Sequence, residues 1–163
     1  MKYILLTTLL SLSSIASAAD DDLPPDIYKF ALCETGLRVH FLPALVGNDS
    51  YKMVKNMYNG AAMATGILIA EEAMQSGTPD IIGSIRHKTE QFMTMAVDHW
   101  TASVPTELPT KIVAACYEIN EDQTRIIRSY GAKGITDPTI TTGDIYTLRA
   151  YVGEVVRMFD FPG

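Results

Sequence analysis

The stretch Tyr51–Gln75, YKMVKNMYNGAAMATGILIAEEAMQ, gives the strongest indication of how this chain folds. Its apolar side chains recur at the spacing of an α-helix and form two stripes. These are Met53, Met57, Ala61, Ala64 and Leu68 on one side and Met63, Ile67 and Ala70 on the other. A helix that is apolar over so wide an arc is normally contacted by several neighbours. The small residues around Gly60 and Gly66 would let another helix approach closely, so the stretch predicts a central helix.

Four further segments have the same periodicity and predict helices around this one. They run from Asp26 to about Leu42, from about Asp80 to Trp100, from Pro109 to a loop beginning at Gly131, and from about Gly143 to Phe159. In the segment after Pro109, the inward positions are predicted to include Ile112, Val113 and Cys116. No segment alternates apolar and polar residues as a half-buried strand does. We therefore expect an all-α, single-domain bundle of about five helices over residues 19–163.

The N-terminus has the composition of a secretory signal peptide. Lys2 gives a positive start, an apolar run covers residues 3–12, and Ala16-Ser17-Ala18 has the small-residue pattern that a signal peptidase cleaves. The apolar run is too short to span a bilayer, which needs roughly 20 apolar residues. Residues 1–18 are therefore predicted to be removed, and the mature protein would be periplasmic or secreted.

The mature chain would be acidic. It would carry 12 basic and 19 acidic side chains, because Lys2 is the only charged residue in residues 1–18. Nucleic-acid binding requires a basic face, so this balance argues against a nucleic-acid partner and also against anionic lipid. A basic protein partner would be attracted, although moderate acidity also serves solubility.

The two cysteines, Cys33 and Cys116, would meet oxidising conditions in an exported protein. One disulfide between them is the simplest prediction. It would close a loop of roughly 80 residues and stabilise the fold by on the order of 4 kcal/mol. The alternative is a pair of buried free thiols.

Few side chains have the spacing of a metal or cofactor site. His40, His87 and His99 form no metal-binding motif, and two cysteines alone cannot make a zinc site. The methionines lie among the apolar stripes, which favours core packing over copper(I) binding. We therefore expect no metal and no cofactor.

Three glutamates could in principle perform acid–base chemistry: Glu34, which adjoins Cys33, and the adjacent Glu71 and Glu72. Neighbouring helical residues diverge by about 100°, so Glu71 and Glu72 are better explained as a solvated edge. No nucleophile or phosphate-binding motif accompanies them. The sequence thus predicts no catalytic residue.

Two loops are the best candidates for partner binding. Thr101–Pro109 is small, polar and stiffened by Pro105 and Pro109, and a stiff loop loses less entropy when it binds. The second loop runs from about Lys133 to Thr142. The alternative is that both are ordinary connections between helices. The residues predicted to contact a partner are Ser103, Thr106, Glu107, Lys133 and Asp137.

Several short motifs resemble the Rap/Tai family of periplasmic immunity proteins, which neutralise peptidoglycan amidases delivered by type VI secretion. The resemblance covers about residues 30–117. It comprises three short motifs, Leu32-Cys33-Glu34, Tyr58-Asn59-Gly60-Ala61-Ala62 and Ala114-Ala115-Cys116. It also comprises a helix that begins at Gln91-Phe92, continues through Val97 to Trp100, and is followed by Pro105.

This resemblance implies an all-α protein, often a homodimer, that has no enzymatic activity and blocks the substrate groove of a cell-wall amidase with a loop. Two other functions stay open from the residues alone. One is an exported structural or chaperone-like protein that uses exposed methionines. The other is a small exported hydrolase that uses Glu34 or Glu72.

Overall fold

The computed structural model describes residues 25–133 and 141–159, and these form an all-α bundle without strands, as predicted. Six α-helices are joined by short connections, with a π-helical turn at Leu37–Phe41 and a 3₁₀ turn at Pro43–Leu45. The helices are α1 (Pro25–Gly36), α2 (Tyr51–Gln75), α3 (Ile81–Thr101), α4 (Leu108–Glu118), α5 (Asn120–Ala132) and α6 (Thr142–Phe159). The predicted signal peptide lies outside the described residues. Within those residues, none of the helices has both the length and the apolar character needed to cross a bilayer.

Helix α2 is central, as its two stripes predicted, and it contacts α1, α3, α5 and α6. Two glycines on α2 face neighbouring helices. A Cβ atom at Gly66 would lie 3.4 Å from Val152 of α6, and one at Gly60 would overlap the Gln123 side chain of α5. Small residues on α2 thus allow the close approach of two neighbouring helices.

The predicted fourth helix is two helices, so the bundle has six rather than five in its described part. The break is at Ile119, whose φ of −89° and ψ of −5° lie in the bridge region. Helix α4 packs on α1, whereas α5 packs on α2. The predicted inward residues Cys116, Ile119 and Ile126 keep a helical spacing across the break, and no glycine or proline marks it, which is why periodicity alone did not reveal it.

Two apolar side chains predicted to be buried are exposed instead. Val113 is 51% exposed because the inward face of α4 is formed by Ile112, Cys116 and Ile119, and Val113 lies about 100° away from Ile112. Met53 is 61% exposed in the first turn of α2, where Val54 faces the core instead.

The interior contains two main groups of buried side chains. The first, which we call the Trp100 cluster, joins α1, the π-helical turn, the N-terminal half of α2, Trp100 and α4. The second joins α1, α2, α3 and α6 around Phe92 and Phe159. Polar groups at helix ends are also satisfied, since the Trp100 indole N–H donates to the Leu32 carbonyl at 2.9 Å and the Tyr58 hydroxyl donates to the Phe159 carbonyl.

The predicted disulfide is present between Cys33 of α1 and Cys116 of α4, with 4.8 Å between the Cα atoms. Both residues are buried in the Trp100 cluster. The bond links positions 83 residues apart, so it removes many conformations from the unfolded chain.

Replacing Cys33 and Cys116 together by alanine should lower the free energy of unfolding by on the order of 4 kcal/mol, because the unfolded chain regains the freedom of that long loop. Urea unfolding under non-reducing conditions would measure the loss. Unchanged stability relative to the wild-type protein would contradict a structural role for the bond.

Candidate functional site: an anchored loop between α3 and α4

The first predicted binding loop is present but shorter than expected, comprising Ala102–Glu107. Thr101 still belongs to α3. Leu108 and Pro109 already form the start of α4, where proline is favoured because its missing N–H would have no helical partner. The predicted binding residues Ser103, Thr106 and Glu107 all lie on this short segment.

Backbone hydrogen bonds fold the loop into consecutive turns. The Ser103 N–H donates to the Trp100 carbonyl at 3.1 Å, and the N–H groups of Glu107 and Leu108 donate to the Val104 carbonyl at 3.0 and 3.1 Å. The Ser103 hydroxyl also donates to the His99 carbonyl at 3.1 Å. These bonds leave the loop few alternative conformations.

The tip of the loop is nevertheless exposed to solvent. Val104 is 53% exposed, and Pro105, Thr106 and Glu107 are exposed as well. The carboxylate of Glu107 forms an ion pair with the Lys111 ammonium one turn into α4, at 3.0 Å. Glu107 is therefore held against its own helix, and its charge is already matched by a lysine.

The two ends of the loop rest on buried side chains. Trp100, two residues before the loop, is hydrogen-bonded to α1, and Ile112, five residues after it, is fully buried. Gly36 of α1 lies beneath both, and a Cβ atom there would be 2.9 Å from Ile112 and 3.1 Å from the Trp100 indole nitrogen. Together with the nearby disulfide, this contact fixes the loop relative to α1.

Lys133, predicted in the second loop, lies away from the first one. It follows α5 and forms an ion pair with Glu71 in the C-terminal half of α2, beside a cavity of about 210 Å³ lined by Met74, Ile145 and Leu148. The Trp100 cluster, by contrast, contacts the N-terminal half of α2. The structure therefore does not bring Lys133 together with Glu107, and Asp137 lies outside the described residues.

A larger cavity, of about 320 Å³, lies between α1, α2 and the α4–α5 junction. Phe30, Leu68 and Ile126 give it apolar walls. Ion pairs between Lys29 and Glu118 and between Arg125 and Asp122 lie at its sides. Nothing in the sequence marked this cavity, because it depends on the break at Ile119.

Glu34 is fully buried, which the sequence did not reveal. Its carboxylate accepts hydrogen bonds from the Thr35 hydroxyl and the Arg38 guanidinium, both at 2.8 Å. Burial raises the pKa of Glu34 from 4.5 to about 7, although the charge of Arg38 and the two hydrogen bonds act in the opposite direction. Because its side chain is 0% exposed, a substrate has no access to this carboxyl in the described conformation.

The other titratable groups do not converge on a site. His40, His87 and His99 are exposed. Glu72 pairs with Lys88 of α3. Among the residues that the structure describes, no three His, Cys, Asp or Glu side chains lie close enough together to hold a metal ion.

Replacing Gly36 by alanine should destabilise the protein by about 1–3 kcal/mol, because the added methyl group would press on Ile112 and the Trp100 indole in a packed core. Gly153→Ala in the interior of α6 is the matched control. No neighbouring atom lies within 4 Å of its Cβ position, so it should instead stabilise by about 0.5–1 kcal/mol. Equal effects of the two variants on thermal unfolding would contradict this packing.

The protein should become less stable between acidic and neutral pH because of Glu34. A raised pKa in the folded state favours the protonated form, so this contribution to stability is fully present below about pH 4.5 and is lost as the pH rises through about 7. The loss corresponds to about 3 kcal/mol. Urea unfolding of the wild type and of Glu34→Gln at pH 5 and pH 8 measures it.

Glu34→Gln should lose less stability between these pH values than the wild type does. Glu90→Gln, which changes an exposed carboxylate on α3, should behave like the wild type. The assignment of the pH dependence to Glu34 fails when all three proteins lose the same amount.

Comparison with known proteins gives no match, since no family model fits the chain and neither a curated protein nor a solved structure is significantly similar to it.

Proposed function

We propose that this chain is an exported, non-enzymatic binding protein that inserts the loop Ala102–Glu107 into a cleft of a protein partner and thereby inhibits it. The main support for this proposal is that the tip of the loop is exposed whereas the residues at its two ends are fixed in the core. Val104 to Glu107 face solvent, while Trp100 and Ile112 on either side of the loop are buried.

Such a loop suits inhibition for an energetic reason. Binding normally costs the entropy of ordering the loop and its side chains, and a segment that is already ordered avoids much of that cost. Here the turn hydrogen bonds, Pro105 and the contact between Gly36 and Trp100 provide the order before any partner arrives. Inhibitors of this kind also change their backbone little when they bind.

The class of partner is inferred from two sequence features. The predicted signal peptide would deliver the protein outside the cytoplasm, so its partner would be found there. The resemblance to Rap/Tai immunity proteins then suggests a cell-wall amidase, whose substrate groove the loop would block. The same resemblance suggests a homodimer.

The hydrolase alternative receives less support from the contacts. Glu34 is buried against Thr35 and Arg38, and Glu72 is paired with Lys88. Enzymes instead present convergent polar groups in an accessible cleft. A chaperone-like function would require a broad apolar surface rather than a compact ordered loop.

The proposal is tested with the mature chain, residues 19–163, and periplasmic extracts of the source bacterium and its neighbours. We expect stoichiometric recovery of one cell-wall hydrolase, and loss of its peptidoglycan-digesting activity in the complex. The variant Thr106→Ala/Glu107→Ala should weaken inhibition at least tenfold, because it removes polar contacts at the loop tip.

The matched control is Thr124→Ala/Glu121→Ala, which removes the same side-chain types from the exposed side of α5. It should inhibit as well as the wild type. Recovery of many unrelated proteins would indicate chaperone-like binding instead, and equal inhibition by the loop variant and the control would exclude the loop as the inhibitory element.

A further inference from the structure

Exposed apolar side chains are concentrated on one part of the surface. We call this part the basic end and define it as residues 37–57 and 102–115, which include the π-helical and 3₁₀ turns, the start of α2, the loop Ala102–Glu107 and most of α4. Of nine large apolar side chains that are exposed among the described residues, five belong to the basic end. These five are Val39, Val46, Met53, Val104 and Val113.

The segments of the basic end adjoin one another in space. The π-helical turn contacts α2, α4 and the 3₁₀ turn. Their inward side chains, including Leu37, Val54 and Ile112, all belong to the Trp100 cluster. The π-helical turn, the start of α2 and α4, which carry Val39, Met53 and Val113, therefore pack on one shared core.

The charge of this end differs from that of the remaining chain. The basic end carries four basic and two acidic side chains, whereas the remaining described residues carry eight basic and twelve acidic ones. Arg38 is paired with Glu34 and Lys111 with Glu107. Lys52 and Lys55 are exposed and form no ion pair with any residue that the structure describes. The Lys55 ammonium lies 5.7 Å from the centre of the Tyr51 ring, so two cations without a carboxylate partner among the described residues flank the exposed Met53.

We propose that the basic end is the docking surface for a protein partner that presents an acidic patch with apolar side chains in it. This inference rests on the proposed function, because it places the inhibitory loop inside a larger contact and names the chemistry of the partner. The negative net charge of the whole chain favoured a basic partner. However, association depends on the charge of the surface that makes the contact.

Charge and composition favour such a partner over the two other possible occupants. A second copy docked through the same surface would place two surfaces of the same positive net charge against each other, which is unfavourable. Anionic membranes are typically bound by clusters of 4–8 basic residues, often with aromatic anchors, whereas two of the four basic side chains here are already paired with carboxylates. Here Phe41 and Tyr51 are half-buried against the core instead of projecting outward.

The test combines site-specific crosslinking with charge reversal. The photoreactive residue p-benzoylphenylalanine would replace Val39, Val104 or Val113 in the full chain expressed in its host, and Tyr146 of α6, which is 66% exposed, is the control position. We expect all three positions at the basic end to crosslink to one protein, through a segment of that protein rich in Asp and Glu, and Tyr146 to give no product.

The charge-reversal variant Lys52→Glu/Lys55→Glu should reduce the yield of that product at least tenfold. The control Arg125→Glu/Arg128→Glu makes the same change in net charge on exposed positions of α5, and it should leave the yield within twofold of the wild type. The yield should also fall as salt rises, since exposed charges are screened.

Several outcomes would overturn the docking surface. They can be told apart from results that would overturn inhibition by the loop. Crosslinking from Val104 alone would keep the inhibitory loop but exclude the larger surface. Crosslinks to a second copy, or binding of the purified protein to phosphatidylglycerol vesicles with loss of the protein product, would identify a different occupant. Equal effects of the two charge reversals would exclude an acidic patch. No crosslink from any position would refute both the loop and the surface.

Discussion

The covalent bond between Cys33 and Cys116 sets how α1, α4 and the loop before α4 are placed relative to one another. It fixes α4 to α1 at the point where the Trp100 indole also bonds to α1. The segment between α3 and α4 therefore has both ends attached to one rigid helix. Its exposure and its order, which together suggest inhibition, follow from that attachment. An unanchored loop with the same residues would lose more entropy on binding.

Glu34, the residue after Cys33, places a buried carboxyl group next to this disulfide. Cys33 before it and Leu37 one turn after it belong to the apolar Trp100 cluster, yet the carboxyl of Glu34 is fully buried and accepts two hydrogen bonds. Its neighbour Arg38 belongs to the π-helical turn, and such turns are often found at functional positions. The arrangement reduces stability near neutral pH, and natural proteins usually tolerate a cost of that kind close to functional sites. Arg38 itself belongs to the basic end, which we propose as a docking surface.

Much of the fold could be predicted from the sequence, because it depends on local periodicity. The bounds of α2 and the pairing of the two cysteines were predicted correctly, since a wide apolar arc and a pair of exported cysteines each favour one arrangement. The break at Ile119 and the exposure of Val113 were not predicted. Both depend on which neighbouring helix each half of the segment after Pro109 packs against. The buried position of Glu34 could not be inferred either, since an isolated carboxyl between apolar residues gives no signal of its partners. The sequence placed Ser103, Thr106 and Glu107 on one connection and Lys133 on another, and the structure has the same separation; that these residues contact a partner stays a prediction.

The break at Ile119 also separates the helices closed off by the disulfide from the helices that follow it in the chain. The disulfide closes a covalent ring that contains α2 and α3, whereas α5 and α6 lie outside it and are held to it by packing, hydrogen bonds and ion pairs. Helix α5 has no fully buried side chain, and its residues contact mainly α2. Segments with so little burial open most readily in native proteins. The backbone amides of α5 would accordingly exchange with solvent deuterium before those of the ring, and the anchored loop would keep its shape while α5 opens and closes.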